Sequence, residues 1–259
     1  MAVAVCARSV DQLDEVAAEV EAAGGQALVV PGDVTDRVSV ESVVARVEGD
    51  LGPIELLVNN AAARGAQAEF LGTDPDDWWR TVEVNLRGPA LSSYYVLKRM
   101  APRRRGRIVN MVSDAALRPA PLGSDHACSK AALVRLTDSL ALAAWEHGVA
   151  VFGVGPGLSH TEEGVAAEPL ARLVADLAAG CADRLSGRLL HLQDDLDELL
   201  QRVEEVEREE LYQLRLRRLE PLPPEGPPPA AEGEAAEGEA TAREPAGEAA
   251  AAGSAPASS

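Results

Sequence analysis

Apolar residues along this chain follow two alternating rhythms. Short apolar runs fall at Ala2–Cys6, Ala27–Val30, Ile54–Val58, Arg107–Val112, Val149–Val154 and Arg188–Leu192. Runs of that length predict strands buried on both faces, as in a parallel sheet. Between them the spacing turns helical. Val10, Leu13, Val16, Ala17 and Val20 mark one helix, and Val40, Val43, Val44 and Val47 a second. A helical region covers Asp76–Met100, with an interruption expected near Gly88-Pro89. Ser129–Glu146 carries Leu133, Leu136, Leu140 and Ala144 on one face. A short helix follows at Pro169–Ala179, and Leu196, Leu199, Leu200, Val203 and Val206 mark a last amphipathic helix. Ser9 followed by Gln12 reads as a capping box, and Gly24-Gly25 and Gly52-Pro53 read as helix stops.

Strands alternating with helices predict an α/β fold, a doubly wound Rossmann-like parallel sheet with helices on both faces. In such sheets ligands bind beyond the carboxyl ends of the strands. The unusual residues fall there. Arg8 follows the first run, Asp33 the second, Asn59-Asn60-Ala61 the third, Ser113 the fourth and Pro156-Gly157 the fifth.

Composition changes the picture at the C-terminus. Residues 221–259 hold 8 of the 17 prolines, 7 Glu, 1 Arg and one large apolar residue, Leu222. Such a segment buries too little surface to offset its chain entropy. It reads as a disordered acidic Pro/Ala/Glu tail after a domain at 1–220. The tail carries −6 of a net charge of −18. An acidic chain lacks the basic face that nucleic acid or anionic lipid requires. No apolar run reaches the ~18 residues of a membrane span, and the reading is of a cytosolic protein. Aromatics are 3% of the chain, so the core is aliphatic.

Cys6, Cys128 and Cys181 fit no disulfide or zinc spacing and read as small buried hydrophobes. No cluster of His, Cys and acidic residues suggests a metal. His147 lies at a helix end, His160 in a loop, and His191 in the last strand as a satisfied neighbour. The basic residues are 22 Arg and only 2 Lys, Lys98 and Lys130, so each lysine draws notice.

Over residues 2–192 these positions resemble the short-chain dehydrogenase/reductase family. The carrying segments are Gly32-Asp33-Val34, Asn59-Asn60-Ala61-Ala62, Val84-Asn85-Leu86, Arg107 to Ser113, Ser129-Lys130-Ala131-Ala132-Leu133, Pro156-Gly157 with Thr161, and Leu185-Ser186-Gly187-Arg188. The resemblance implies hydride transfer between a nicotinamide dinucleotide, NAD(P), and a small carbonyl or alcohol substrate. It implies catalytic roles for Asn85, Ser113 and Lys130. It implies cofactor contacts by Asp33, Val34, Asn59, Asn60, Ala61, Lys130, Pro156, Gly157 and Thr161. Arg8 stands where relatives often hold a 2′-phosphate, which leans the choice toward NADP; a solvated loop Arg is the other reading. Family members commonly assemble through the helices that carry Asn85 and Lys130, which implies a homodimer or tetramer.

Three departures set expectations. The chain opens at what would be the family's second strand, so the first strand and its Gly-rich loop are missing from the expected fold. The catalytic Tyr, four residues before Lys130, is replaced by His126. Thr161 to Pro169 spans eight positions, leaving a very short substrate loop. Two readings follow: an oxidoreductase weakened or inactive as it stands, with His126 in the acid's place, or a non-catalytic partner subunit or regulator.

Overall fold

A computed structural model describes residues 1–119, 121–156 and 167–215. They run β1 (Ala2–Val5), α1 (Val10–Ala22), β2 (Gln26–Val29), α2 (Arg37–Leu51), β3 (Leu56–Asn59), α3 (Pro75–Val82), α4 (Gly88–Arg103), β4 (Gly106–Met111), α5 (Ser124–Trp145), β5 (Val149–Gly155), α6 (Ala167–Ala179), β6 (Leu189–His191), α7 (Leu196–Gln201) and α8 (Val203–Arg208). The expected tail at 221–259 lies outside the described residues.

All strand pairs are parallel, but the ladder comes in two sections. β1 pairs with β2, with Ala2 opposite Gln26. β3, β4, β5 and β6 form the other section in that order. No ladder hydrogen bond joins β1 to β3 among the described residues. The four-stranded section is the core. On one face Val109, Met111, Ala150, Phe152 and Val154 pack against α6, α7 and α8. On the other Ile108, Val149 and Val151 pack against Val40 and Val44 of α2, Tyr95, Val96 and Met100 of α4, and Ala141 and Ala144 of α5. The period-2 alternation of strand side chains sends neighbours to opposite faces, so helices cover both, as the sequence predicts.

Local chemistry sets the ends. Asp36 caps α2 by accepting from the N–H groups of Val38 and Ser39. Asp74 caps α3 before Pro75, whose ring suits the first helical position. Several expectations are corrected. Ser9 caps α1 without any side-chain hydrogen bond, so no capping box forms. The interruption of the long helical region is a π-type turn at Glu83–Arg87, and Gly88-Pro89 opens α4 rather than breaking it. The last helix is broken in two at Arg202. All three cysteines are exposed, because Cys6 lies past the end of β1 and Cys128 and Cys181 sit on outward positions.

Candidate active site

The segment past the carboxyl end of β3 and the first turns of α5 meet around Asn85. The π-type turn that carries Asn85 inserts one extra residue into the helical path, a feature that re-aims side chains. Here it turns Asn85 fully inward. Asn85 Oδ1 accepts the N–H of Ala63 at 2.7 Å, and Nδ2 donates to the carbonyl of Ala63 at 2.9 Å and to Ser129 Oγ at 3.0 Å. Ser129 Oγ in turn donates to the His126 carbonyl.

His126 is half-buried, and its Nδ1 lies 3.1 Å from the carbonyl oxygen of Ala63. Asn85 Nδ2 stands 3.5 Å from the same nitrogen, so Nδ1 faces both a carbonyl and an amide, while Nε2 has no hydrogen-bond partner among the described residues. Beside it Asp125 is buried; its Oδ2 accepts from Ala66 N–H at 3.2 Å and Thr81 Oγ1 at 3.0 Å. Gly65 presses against that carboxylate with φ +66°, leaving no room for a Cβ. The loop after β3 is thus gripped at Ala63 and Ala66 by three side chains.

Lys130, one turn further along α5, is 3% exposed. Its Nζ donates to the carbonyl of Met111 at 2.7 Å. Burial lowers its amine from the usual value to about 8. Ser113, two residues beyond Met111, caps a short turn at Asp114–Ala116, with Oγ accepting from Ala115 N–H at 3.2 Å. Among the described residues its hydroxyl donates to no acceptor. Among the described residues no hydrogen bond joins Ser113 to His126 or Lys130.

The other candidates separate into groups. Asn59 is buried; its Nδ2 donates to Asn110 Oδ1 at 2.8 Å and to Ser93 Oγ at 3.2 Å. Asn110 continues to Thr137 Oγ1 at 2.9 Å, so Asn59 belongs to a polar chain inside the core. Asn60 and Ala61 are exposed just past β3. Asp33 and Arg8 follow the adjacent strands β2 and β1. The Thr35 N–H and Oγ1 both reach Asp33 Oδ1 at 2.8 Å, and with the Arg8 cation they hold the carboxyl below its usual range. The uncapped first turn of α1 follows Arg8 directly. Val34 packs on Gly88 at the start of α4. Pro156 is half-buried beyond β5, while Gly157, His160 and Thr161 lie outside the described residues.

Sequence reasoning missed Asp125, Thr81, Ser129 and Ala63. The available signal was polar residues at inward positions of an otherwise apolar helix: Asp125, Ser129 and Thr137 all lie on the buried side of α5.

A parallel α/β sheet with its polar side chains gathered past the strand ends defines a ligand-binding α/β protein of the doubly wound class. Residues 1–169 match the family described as short chain dehydrogenase, and the chain belongs to that family. A short chain dehydrogenase of Pseudocercospora fijiensis is 35% identical over 165 residues, covering 62% of this chain and 53% of that protein. A short chain dehydrogenase of Monascus purpureus is 34% identical over 194 residues, covering 70% and 66%. The chain therefore spans between about half and two thirds of these relatives' length. A metagenomic short-chain oxidoreductase solved in complex with NADP superposes with a TM-score of 0.66 at 30% identity, over 73% of this chain and 83% of that one. An NAD+-bound xylitol dehydrogenase, at 24% identity and a TM-score of 0.67 over 73% and 87%, shows the same fold. Among the described residues no helix is long and apolar enough to cross a membrane.

Proposed function

We propose that the chain is an NAD(P)-dependent oxidoreductase by descent, acting on a small carbonyl or alcohol, with weak turnover as it stands. The observation that carries this is Lys130: a buried amine on the Met111 carbonyl, two residues before Ser113, at the end of a central parallel strand. When bound, a nicotinamide dinucleotide supplies the hydride. The residues present suit its two ends. Arg8 and the uncapped N-terminal turn of α1 suit a 2′-phosphate, which favours NADP, with Asp33 and Val34 on the adenine side. Asn60, Ala61, Lys130, Pro156, Gly157 and Thr161 are assigned to the nicotinamide half, with Asn59 supporting them from the core.

Ser113 Oγ orients the substrate oxygen, and Asn85 holds the loop that borders it. Lys130 places a cation beside the reacting groups. His126 occupies the proton donor's position, but its Nδ1 is held between the Ala63 carbonyl and the Asn85 amide. A ring so tied, and shorter than a phenol, does not bring a proton to the place a tyrosine hydroxyl reaches, and a positioned acid is worth ~10²–10⁴-fold in rate. That observation also favours the second reading, a non-catalytic partner subunit that binds the dinucleotide. A cytosolic homodimer or tetramer through α4 and α5 belongs to the same proposal. Tyr94, Leu142 and Trp145 on those helices are exposed apolar positions that suit such a contact.

The test is titration of the purified chain with NADPH and NADH by fluorescence, followed by NADPH-linked reduction of a carbonyl panel. Binding of NADPH with slow turnover is expected, and His126→Tyr is expected to raise turnover by roughly ten-fold or more. Failure to bind either dinucleotide overturns the proposal. Fast turnover by the unmodified chain overturns the weakening assigned to His126.

A further inference from the structure

The end of β6 carries a contact that neither the family motifs nor the nicotinamide sites use. His191 closes that strand, opposite Gly155 of β5. Its ring fills the space of the missing side chain: a Cβ at Gly155 would stand 2.7 Å from His191 Cδ2 and 2.9 Å from Nε2. The His191 backbone N–H donates to Asp194 Oδ2 at 2.6 Å, and Nδ1 lies 3.8 Å from the same oxygen. On the opposite edge Nε2 stands 3.2 Å from Asp114 Oδ1.

That Asp114 oxygen is buried and makes no aligned hydrogen bond among the described residues. The imidazole Nε2 is the one basic side-chain nitrogen within 4 Å of it there. A buried acceptor stripped of its polar neighbour turns toward water when the backbone lets it. Asp114 opens the short turn that Ser113 caps, so any such movement passes directly to Ser113. The ring therefore ties the segment after β4 to the end of β6, across β5. Asp114 and His191, with Leu117 and Arg118, also line a cavity of about 240 Å³ immediately past Ser113.

We propose that His191 is a positioning residue of the candidate active site: clamped against Gly155 and Asp194, it holds the Asp114 carboxylate and thereby sets the Ser113 hydroxyl toward the substrate. The inference rests on the oxidoreductase reading of Ser113, but its contact is measurable without turnover. A displacement of about 1 Å at such a group costs ~10²-fold in rate, so the clamp matters to chemistry although it touches no reacting atom.

The experiment uses the full chain and its His191→Phe, His191→Gln and Asp114→Ala variants, with backbone hydrogen exchange as the readout. The Ala115 and Ala116 amides bond to Ser113 Oγ and Ser113 O, at 3.2 and 2.9 Å, and report the turn. His191→Phe and Asp114→Ala are each expected to speed their exchange about ten-fold, with the amides of β5 unchanged. His191→Gln, which keeps a polar N–H group beside Asp114, is expected to recover most of the protection. Unchanged exchange at Ala115 and Ala116, an equal rise throughout β5, or no recovery with Gln overturns the proposal. A His191→Phe chain that does not fold leaves Asp114→Ala to decide it. Absence of NADPH binding by the unmodified chain defeats the oxidoreductase reading alone, because the exchange result is read independently.

Discussion

The side-chain amide of Asn85 clasps the backbone of Ala63 from both directions, accepting its N–H at 2.7 Å and donating to its carbonyl at 2.9 Å. The pairing imitates one rung of a sheet ladder. It connects a helix to a loop 22 residues earlier and fixes the border of the candidate site.

Replacing Asn85 by Leu leaves two part-buried backbone groups without this partner. The expected loss is about 2–4 kcal/mol, at ~1–3 kcal/mol for each stranded group and with His126 still on the carbonyl. Asn85→Asp puts an acceptor against the Ala63 carbonyl and loses at least as much. Urea denaturation midpoints, with unchanged slopes, measure both.

Gly65 is required by backbone and by space. Its φ of +66° already disfavours other residues, and a Cβ there meets the Asp125 carboxylate. Gly65→Ala is expected to cost roughly 2 kcal/mol or more, while Thr81→Val, which removes one donor to Asp125, costs about 1 kcal/mol. Thermal or urea unfolding distinguishes the two.

Lys130 makes stability depend on alkaline pH. Its folded-state amine lies at about 8, below the usual 10.5, because burial disfavours the cation. Between those values the unfolded chain binds the additional proton, so folding stability rises as pH rises from about 8 to 10.5. Below that window the burial penalty is fully present, and above it the penalty is gone. The rise is on the order of 3 kcal/mol and is absent in Lys130→Met. Comparing the two proteins by urea denaturation across the window isolates it from tyrosine and cysteine titration. Lys130→Met is also expected to weaken NADPH binding about ten-fold, one charge-assisted bond's worth.

Arg107 grips Asp183 with two parallel bonds of 2.8 Å and reaches the Ala178 carbonyl at 3.1 Å. It ties β4 to the end of α6. Arg107→Lys keeps the charge but loses the fork, and the expected cost is about 1 kcal/mol because Asp183 is partly exposed. Arg107→Leu costs more, because it strands the Asp183 carboxylate and the Ala178 carbonyl together, and melting temperatures measure both losses.

Much of this arrangement was legible in the chain. Apolar runs and helical spacing report which face of an element is buried, and that depends on neighbours a few positions away. The strands, most helices and the unusual residues just past each strand, Asp33, Ser113 and Pro156 among them, followed from that local pattern. Periodicity could not foresee the π-type turn at Glu83–Arg87, because one inserted residue shifts the helical phase without leaving a compositional mark.

What the sequence by itself determined was the α/β alternation, the family motifs and the position of His126 four residues before Lys130. Only the tertiary structure decided what each polar group faces. Asn59 turned into the core toward Asn110, His126 Nδ1 turned to the Ala63 carbonyl, and His191 met Asp114 across a third strand. The physical reason is that hydrogen-bond partners are chosen by strand order and helix docking, which join residues far apart in the chain, while burial patterns record only the local face.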